Sequence, residues 1–126
     1  MRRIPLLAAA LATAAFAASG TALADDHGGS RTSRFDLKGE VYPNFKIELK
    51  TAAGRRVTAL AAGTYRIKVE DASAIHNFHL VGPGVNRATT IAGTAETIWT
   101  VRLKAGGYTF MCDPHAGQMR GTFRVK

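Results

Sequence analysis

Tyr108-Thr109-Phe110-Met111-Cys112-Asp113-Pro114-His115-Ala116-Gly117-Gln118-Met119-Arg120-Gly121 is the stretch that decides the fold, and it also holds most of the chemistry. Tyr108, Phe110 and Cys112 alternate with Thr109 and Met111, which is the period of a strand with one apolar face. Phe123 and Val125 resume the alternation, so the residues between read as a loop joining two strands. Cys112, His115 and Met119 fall within eight residues on and beside that loop. A thiolate, imidazoles and a weakly bound thioether form the donor set that suits copper moving between Cu(I) and Cu(II). Cys and Met favour Cu(I), imidazole accepts both states, and a long axial Met bond tunes the potential.

Outward from this loop the same period recurs. Phe45, Ile47 and Leu49 alternate with Lys46, Glu48 and Lys50, and Tyr65, Ile67 and Val69 with Arg66, Lys68 and Glu70. Thr97-Trp99-Val101-Leu103 follows suit. Charges between apolar residues mean strands with one wet face. Gly-containing turns punctuate them at Ala53-Gly54, Ala62-Gly63, Gly82-Pro83-Gly84, Ala92-Gly93 and Gly106-Gly107. No segment after residue 24 has the pattern of an amphipathic helix. Short strands at this spacing imply an all-β sandwich or barrel in which alternate apolar residues of two sheets pack together.

Cys112 is the single cysteine, so no intramolecular disulfide can form and the thiol needs another account. A buried inert thiol is the bland account and a metal ligand the functional one. Ile75-His76-Asn77-Phe78-His79-Leu80 offers two more imidazoles. Period two sends residues 76, 78 and 80 one way and 77 and 79 the other. His76 therefore shares the inward face with Phe78 and Leu80. Met111 alternates away from Cys112 and reads as packing. Cys-x-x-His also occurs in zinc sites, and it is the conjunction with a nearby Met and a distant His-Asn on a β-rich chain that favours copper.

The chain here resembles the small type 1 (blue) copper proteins of the cupredoxin family, namely plastocyanins, pseudoazurins and amicyanins. His76-Asn77, Cys112-Asp113-Pro114-His115 and Met119-Arg120-Gly121 carry the likeness, which spans roughly residues 34 to 126. It implies a Greek-key β-sandwich of about seven to eight strands, in agreement with the independent strand reading. It also implies one type 1 copper held by His76, Cys112, His115 and Met119, with Asn77 tying the two ligand segments together by hydrogen bonds. Three residues separate His115 from Met119 here, against four in plastocyanins and pseudoazurins and two in amicyanins. Gln118 is the alternative axial donor, since an amide oxygen also occupies that position.

The N-terminus is a separate region. Met1-Arg2-Arg3, an apolar Ala-rich run from Ile4 to Ala18 and a small-residue stretch ending Ala22-Leu23-Ala24 form a secretory signal, residues 1–24. The run is shorter than the ~20 residues that cross a bilayer. Cleavage after Ala24 leaves 102 residues, enough for one domain with its own core. The expected location is the periplasm or the medium, with no stable membrane insertion after removal of the signal. Residues 25–33 read as a flexible polar leader and 34–126 as the copper-binding domain. The new N-terminus would be Asp25-Asp26-His27, whose amine, two amides and imidazole can form a weak second Cu(II) site.

Loss of Arg2 and Arg3 lowers the net charge from +8 to +6, a sign that suits acidic redox partner proteins. Lys and Arg are scattered and no aromatic stacking motif accompanies them, so nucleic acid is not an expected partner. The likeness implies that a monomer exchanges single electrons through the edge of His115, with Pro114, Ala116, Gly117 and Pro83 as its apolar surround. Two rival readings exist: a copper protein for storage, delivery or tolerance, and a metal-free β-sandwich binding module. An enzyme is not expected. Cys112 and His115 lack an orienting third group, and four protein ligands leave no open position for substrate.

Overall fold

Alternation along the chain becomes two facing sheets in the structure, a computed structural model that describes residues 34–126. The signal segment, the leader and the Asp25-Asp26-His27 site lie outside the described residues. One sheet contains β1 (Leu37–Tyr42), β2 (Lys46–Thr51), β4 (Gly63–Asp71) and β7 (Ala95–Leu103), in the order β2-β1-β4-β7. The other contains β3 (Ala59–Leu60), β5 (His79–Gly82), β6 (Val85–Ala88), β8 (Gly106–Met111) and β9 (Arg120–Val125), in the order β3-β9-β8-β5-β6. The ninth strand beyond the expected seven to eight is the two-residue β3. Both sheets are mixed, because β1 runs parallel to β4 and β3 parallel to β9. The chain crosses between sheets repeatedly, as expected for a Greek-key sandwich.

Inward residues of the two sheets interdigitate. Leu37, Val41, Leu49, Ile67, Val69, Trp99, Val101 and Leu103 come from the first sheet, and Leu80, Tyr108, Phe110, Phe123 and Val125 from the second. Burial of these side chains from water is the main driving force of the fold, at about 1.5–3 kcal/mol for each large one. Phe78, entirely buried, stacks on Phe110 with ring centroids 5.9 Å apart. Its ring lies over Gly39 of β1, where a Cβ would sit 2.6 Å from Phe78 Cζ.

The outer face of the first sheet is built from charge. Glu96, Lys68, Glu70, Lys38, Glu40, Lys50, Glu48 and Lys46 form an unbroken series of ion pairs of alternating sign across all four strands. Each pair is partly exposed and worth at most about 1 kcal/mol. The charges of these eight side chains cancel one another.

One strand boundary differs from the period-two reading. Phe45 does not alternate inward with Ile47 and Leu49. It precedes β2, is 42% exposed, and has φ +64°, the one non-glycine residue in the left-handed region among those described. Pro43 explains the break, since it has no N–H to continue pairing and its fixed φ starts a turn after Tyr42.

Gly39→Ala is expected to lower stability by about 1–3 kcal/mol through overpacking against Phe78. A urea unfolding midpoint equal to that of the parent chain would remove the close-approach argument.

Candidate metal centre

β8 ends at Met111, and Cys112 opens a single 3-10 turn, Asp113–His115, with Pro114 in its first turn. Backbone bonds then close the loop on itself. The His115 N–H donates to Cys112 C=O (3.0 Å), and the Gln118 and Met119 N–H groups donate to His115 C=O (2.9 and 2.8 Å). The Cys112 N–H donates to Met119 C=O (3.0 Å), directly beyond the Met111–Arg120 rung of the β8–β9 ladder. Cys112 and Met119 are therefore held as neighbours, and both are completely buried. Gln118 is exposed.

The His76 segment is fixed from the other sheet. Asp71, the last residue of β4, points into the core by strand period and is 2% exposed. Its Oδ1 accepts the Ser73 N–H (3.1 Å) and its Oδ2 the Thr89 hydroxyl (2.9 Å). Ser73 Oγ accepts the Ile75 N–H, and Thr89 Oγ1 accepts the Phe78 N–H. Burial pushes the Asp71 carboxyl above its ordinary range, against the pull of these donors. The segment between β4 and β5 is thus pinned on both sides of His76.

Asn77 joins the two segments. Its Oδ1 accepts the Asp113 N–H (2.8 Å), and its Nδ2 donates to Asp113 Oδ2 (2.8 Å) and more weakly to Thr89 C=O (3.4 Å). His79 faces the same loop from the first residue of β5. Its Nδ1 meets Asp113 Oδ1 at 2.7 Å and its Nε2 meets Asn86 Oδ1 at 2.6 Å. Burial opposes the His79 cation, but Asp113 and Asn86 raise its pKa overall. Burial likewise opposes the Asp113 anion, while bonds from His79 and Asn77 hold it below its ordinary range overall.

These supports bring His76, Cys112 and His115 to one point. The two Nδ1 atoms are 3.0 Å apart, and Cys112 Sγ is 3.6 Å from each. A triangle with these sides has a centre about 2 Å from all three atoms, the usual distance of a borderline metal from nitrogen, and slightly short for sulfur. Two imidazoles and a thiolate in a trigonal array form the set that selects copper in a blue site. His76 Nε2 is the one buried side-chain nitrogen or oxygen without a hydrogen-bond partner among the described residues. The ring is therefore held by packing and by the converging donors on its Nδ1 side. The residues fit a metal ion.

Sequence period missed Phe45, which covers this group. Its ring meets His76 edge-on at 4.8 Å between centroids and His115 at 5.0 Å. The signal that bears on it is local: Pro43-Asn44 breaks the strand and frees the next ring to turn back over the site. Period two also separates His76 from His79, yet both reach the Cys112 loop, one at the donor cluster and the other through Asp113. Pro83 is not part of the surround of His115. Strand β5 carries the chain about 10 Å away before the Gly82-Pro83-Gly84 turn, where Pro83 lies against Gly106. The apolar surround includes Phe45, whose ring meets His115, and the exposed Pro114 beside half-buried Ala116, while exposed Ile75 precedes His76.

A known protein family matches this chain in sequence, and solved structures match it in fold. The family described as copper binding proteins, plastocyanin/azurin family, matches residues 52–126. No curated protein matches in sequence. Among solved structures, reduced rusticyanin superposes with a TM-score of 0.53 at 20% identity, covering 71% of this chain and 77% of its own. Another structure, titled as the copper protein rusticyanin, gives 0.53 at 18% identity, over 71% and 76%. At this identity the likeness shows the fold.

The His79–Asp113 pair has a definite pH signature. A raised His79 pKa contributes stability that is complete below the unfolded value near 6.5 and disappears as pH rises through the folded value. A depressed Asp113 pKa contributes above about pH 4 and is lost on further acidification. In metal-free protein, the stability advantage over His79→Gln is expected to peak between about pH 4 and 6.5 and shrink toward pH 8. Urea midpoints across this range measure it, and an advantage that grows with rising pH would contradict the assignment.

Proposed function

The chain belongs to the plastocyanin/azurin family of copper binding proteins, and on that premise we propose that it carries single electrons, with His76, Cys112, His115 and Met119 holding one type 1 copper. The observation that carries this reading is the triangle of two Nδ1 atoms and one Sγ with sides of 3.0, 3.6 and 3.6 Å. Copper in that position would supply the Cu(II)/Cu(I) couple.

The chain's own residues supply the rest. Cys112 provides a thiolate shielded from water, and a dry site strengthens every electrostatic interaction within it. Met119, buried and bonded to Cys112 through the backbone, would be the fourth residue to hold the copper rather than Gln118, which faces solvent. Asn77 and Asp113 hold the two ligand segments at a fixed separation, so the donors need not move when the charge of the site changes. A site that stays put loses little energy to reorganisation on each transfer. His115 is half-buried, and its ring edge is the exit to the surface. Phe45 and Pro114 around it, with Ile75 before His76, offer apolar contact suited to brief docking of a redox partner.

The function is electron carriage rather than catalysis in this proposal, because the four donors leave no vacant position for substrate. Residues 1–24 direct export to the periplasm or the medium.

Addition of Cu(II) to the protein is expected to produce an intense thiolate-to-copper band in the visible spectrum, with a matching EPR signal. Cys112→Ser should abolish the band, and Met119→Leu should shift the potential strongly while Gln118→Ala does not. A folded, zinc-free protein with no such band would overturn the copper assignment. Fast, reversible Cu(II)/Cu(I) cycling without loss of metal supports a carrier, whereas ready surrender of copper to an acceptor supports delivery.

Phe45→Gly separates strain from shielding. Glycine relieves a left-handed φ that costs other residues about 1–2 kcal/mol, so the urea midpoint of the metal-free form should not fall through backbone strain. Copper loss to a chelator should become severalfold faster as water reaches His76 and His115. An unchanged release rate would leave Phe45 no part in retaining the metal.

A further inference from the structure

The strand registers sort the charge of the molecule into two ends. Tyr42–Lys46, Asp71–Ala95, His79–Ala88 and Met111–Arg120 are the rungs nearest the metal centre. Leu37–Thr51, Gly63–Leu103 and Gly106–Val125 close the opposite end. Nine-residue strands β4 and β7 separate the two ends by about 30 Å. At the metal end, Lys46 is bound to Glu48 and Asp113 to His79, which leaves Arg87 and Arg120 as the exposed cations outside those pairs. Phe45, Ile75 and Ile91 are the exposed large hydrophobic side chains among the described residues, and all three lie there.

The far end has the opposite character. Arg55 and Arg56 stand on the β2–β3 loop, Lys104 on the β7–β8 turn, and Arg102, Arg124 and Lys126 at the adjoining ends of β7 and β9. All six are exposed, and none joins an ion pair among the described residues. Among the described residues one exposed carboxylate side chain, Asp36, lies with them, and its Oδ2 accepts the Arg66 N–H. On the sheet beside this end, four lysines and four glutamates cancel one another. Much of the surplus positive charge of the protein is therefore gathered at the pole opposite the metal centre.

We propose that this basic pole is a docking surface for the phosphate headgroups of an anionic lipid bilayer, which would leave the metal end facing the aqueous phase. Charge selects an anionic partner, and surface character selects lipid over protein. A protein interface needs an apolar core to bury, and among the described residues no large hydrophobic side chain is exposed at this pole. A layer of mobile phosphates needs none, because each Lys or Arg near an anionic leaflet adds its own attraction. The cations come from several loops and strand ends spread over a broad surface, as a field of headgroups requires, rather than converging in a pocket. His115 would then stand about 30 Å from the bilayer, open to a soluble partner. The charge distribution carries this inference without reference to the metal.

The test is co-sedimentation of residues 25–126, which contain every described strand and core residue and lack the apolar segment that would itself enter a bilayer. At about 0.1 M salt, where the screening length is about 10 Å, the protein should sediment with vesicles of mixed phosphatidylglycerol and phosphatidylcholine, not with phosphatidylcholine alone. About 0.5 M salt, where screening is short-ranged, should release it. Arg55→Glu with Arg56→Glu should weaken binding at least tenfold. Arg87→Glu with Arg120→Glu, the same change of net charge in the metal half, should stay within about twofold, because those sites lie beyond a screening length from the bilayer. Circular dichroism confirms folding, and Lys104→Glu with Lys126→Glu serves if the first pair does not fold. Equal loss in both halves, binding to phosphatidylcholine alone, binding that survives high salt, or no binding would overturn the proposal.

Discussion

The side chain of Asn77 is the tie on which the rest of this structure depends. It bonds to both the backbone and the carboxylate of Asp113, 36 residues further along the chain. The β5–β8 ladder joins the two segments only as far as its His79–Met111 rung, and beyond that rung the Asn77 side chain holds the His76 segment to the Cys112 loop. A buried amide left without partners costs about 1–3 kcal/mol, so the two segments are coupled by energy as well as by geometry. The bond set also reaches outward. Asp113 orients His79, His79 orients against Asn86, and Thr89 connects Asn77 and Phe78 to Asp71 in the core. The donor triangle is thus the product of a polar network embedded in an apolar sandwich.

That arrangement reconciles two demands. Hydrophobic packing sets the shape of the sandwich but is non-directional, and it does not place a nitrogen to within a few tenths of an ångström. Directional hydrogen bonds do, provided every member is satisfied. Here the one unsatisfied atom, His76 Nε2, belongs to the donor cluster itself. The strained φ of Phe45 lies in the same place, with its ring against both imidazoles. Departures from local ease are concentrated where the chemistry is.

Much of this is legible in the sequence, for identifiable reasons. Strand period depends on neighbours in the chain, so β4, β7, β8 and β9 can be read directly, and with them the inward facing of Phe78 and Leu80. Cys112, His115 and His76 stand out because strand packing alone does not call for a lone thiol beside a histidine, or for a His-Asn on a β-rich chain. Phe45 is different. Its alternation with Ile47 and Leu49 is genuine, but the turn at Pro43-Asn44 overrides it, and the ring's contacts lie 31 and 70 positions away. His79 and Pro83 show the same limit. Period assigns a face of a strand, whereas partnership with Asp113 and distance from His115 depend on how sheets and turns are stacked.

Net charge is the quantity that sequence conveys least completely. A value of +8 suggests a protein bathed in positive potential. The fold distributes it otherwise. Period two aligns four lysines and four glutamates on one sheet face, where they cancel, and the loops at the far end retain exposed cations outside those pairs. The donor cluster is left at an apolar end with fewer cations outside ion pairs, Arg87 and Arg120. This division has a physical consequence for any redox role. Long-range attraction and short-range contact act on opposite poles, so the charge that draws an anionic surface closer turns the metal end away from it. A molecule built this way can be held by one end and remain available at the other.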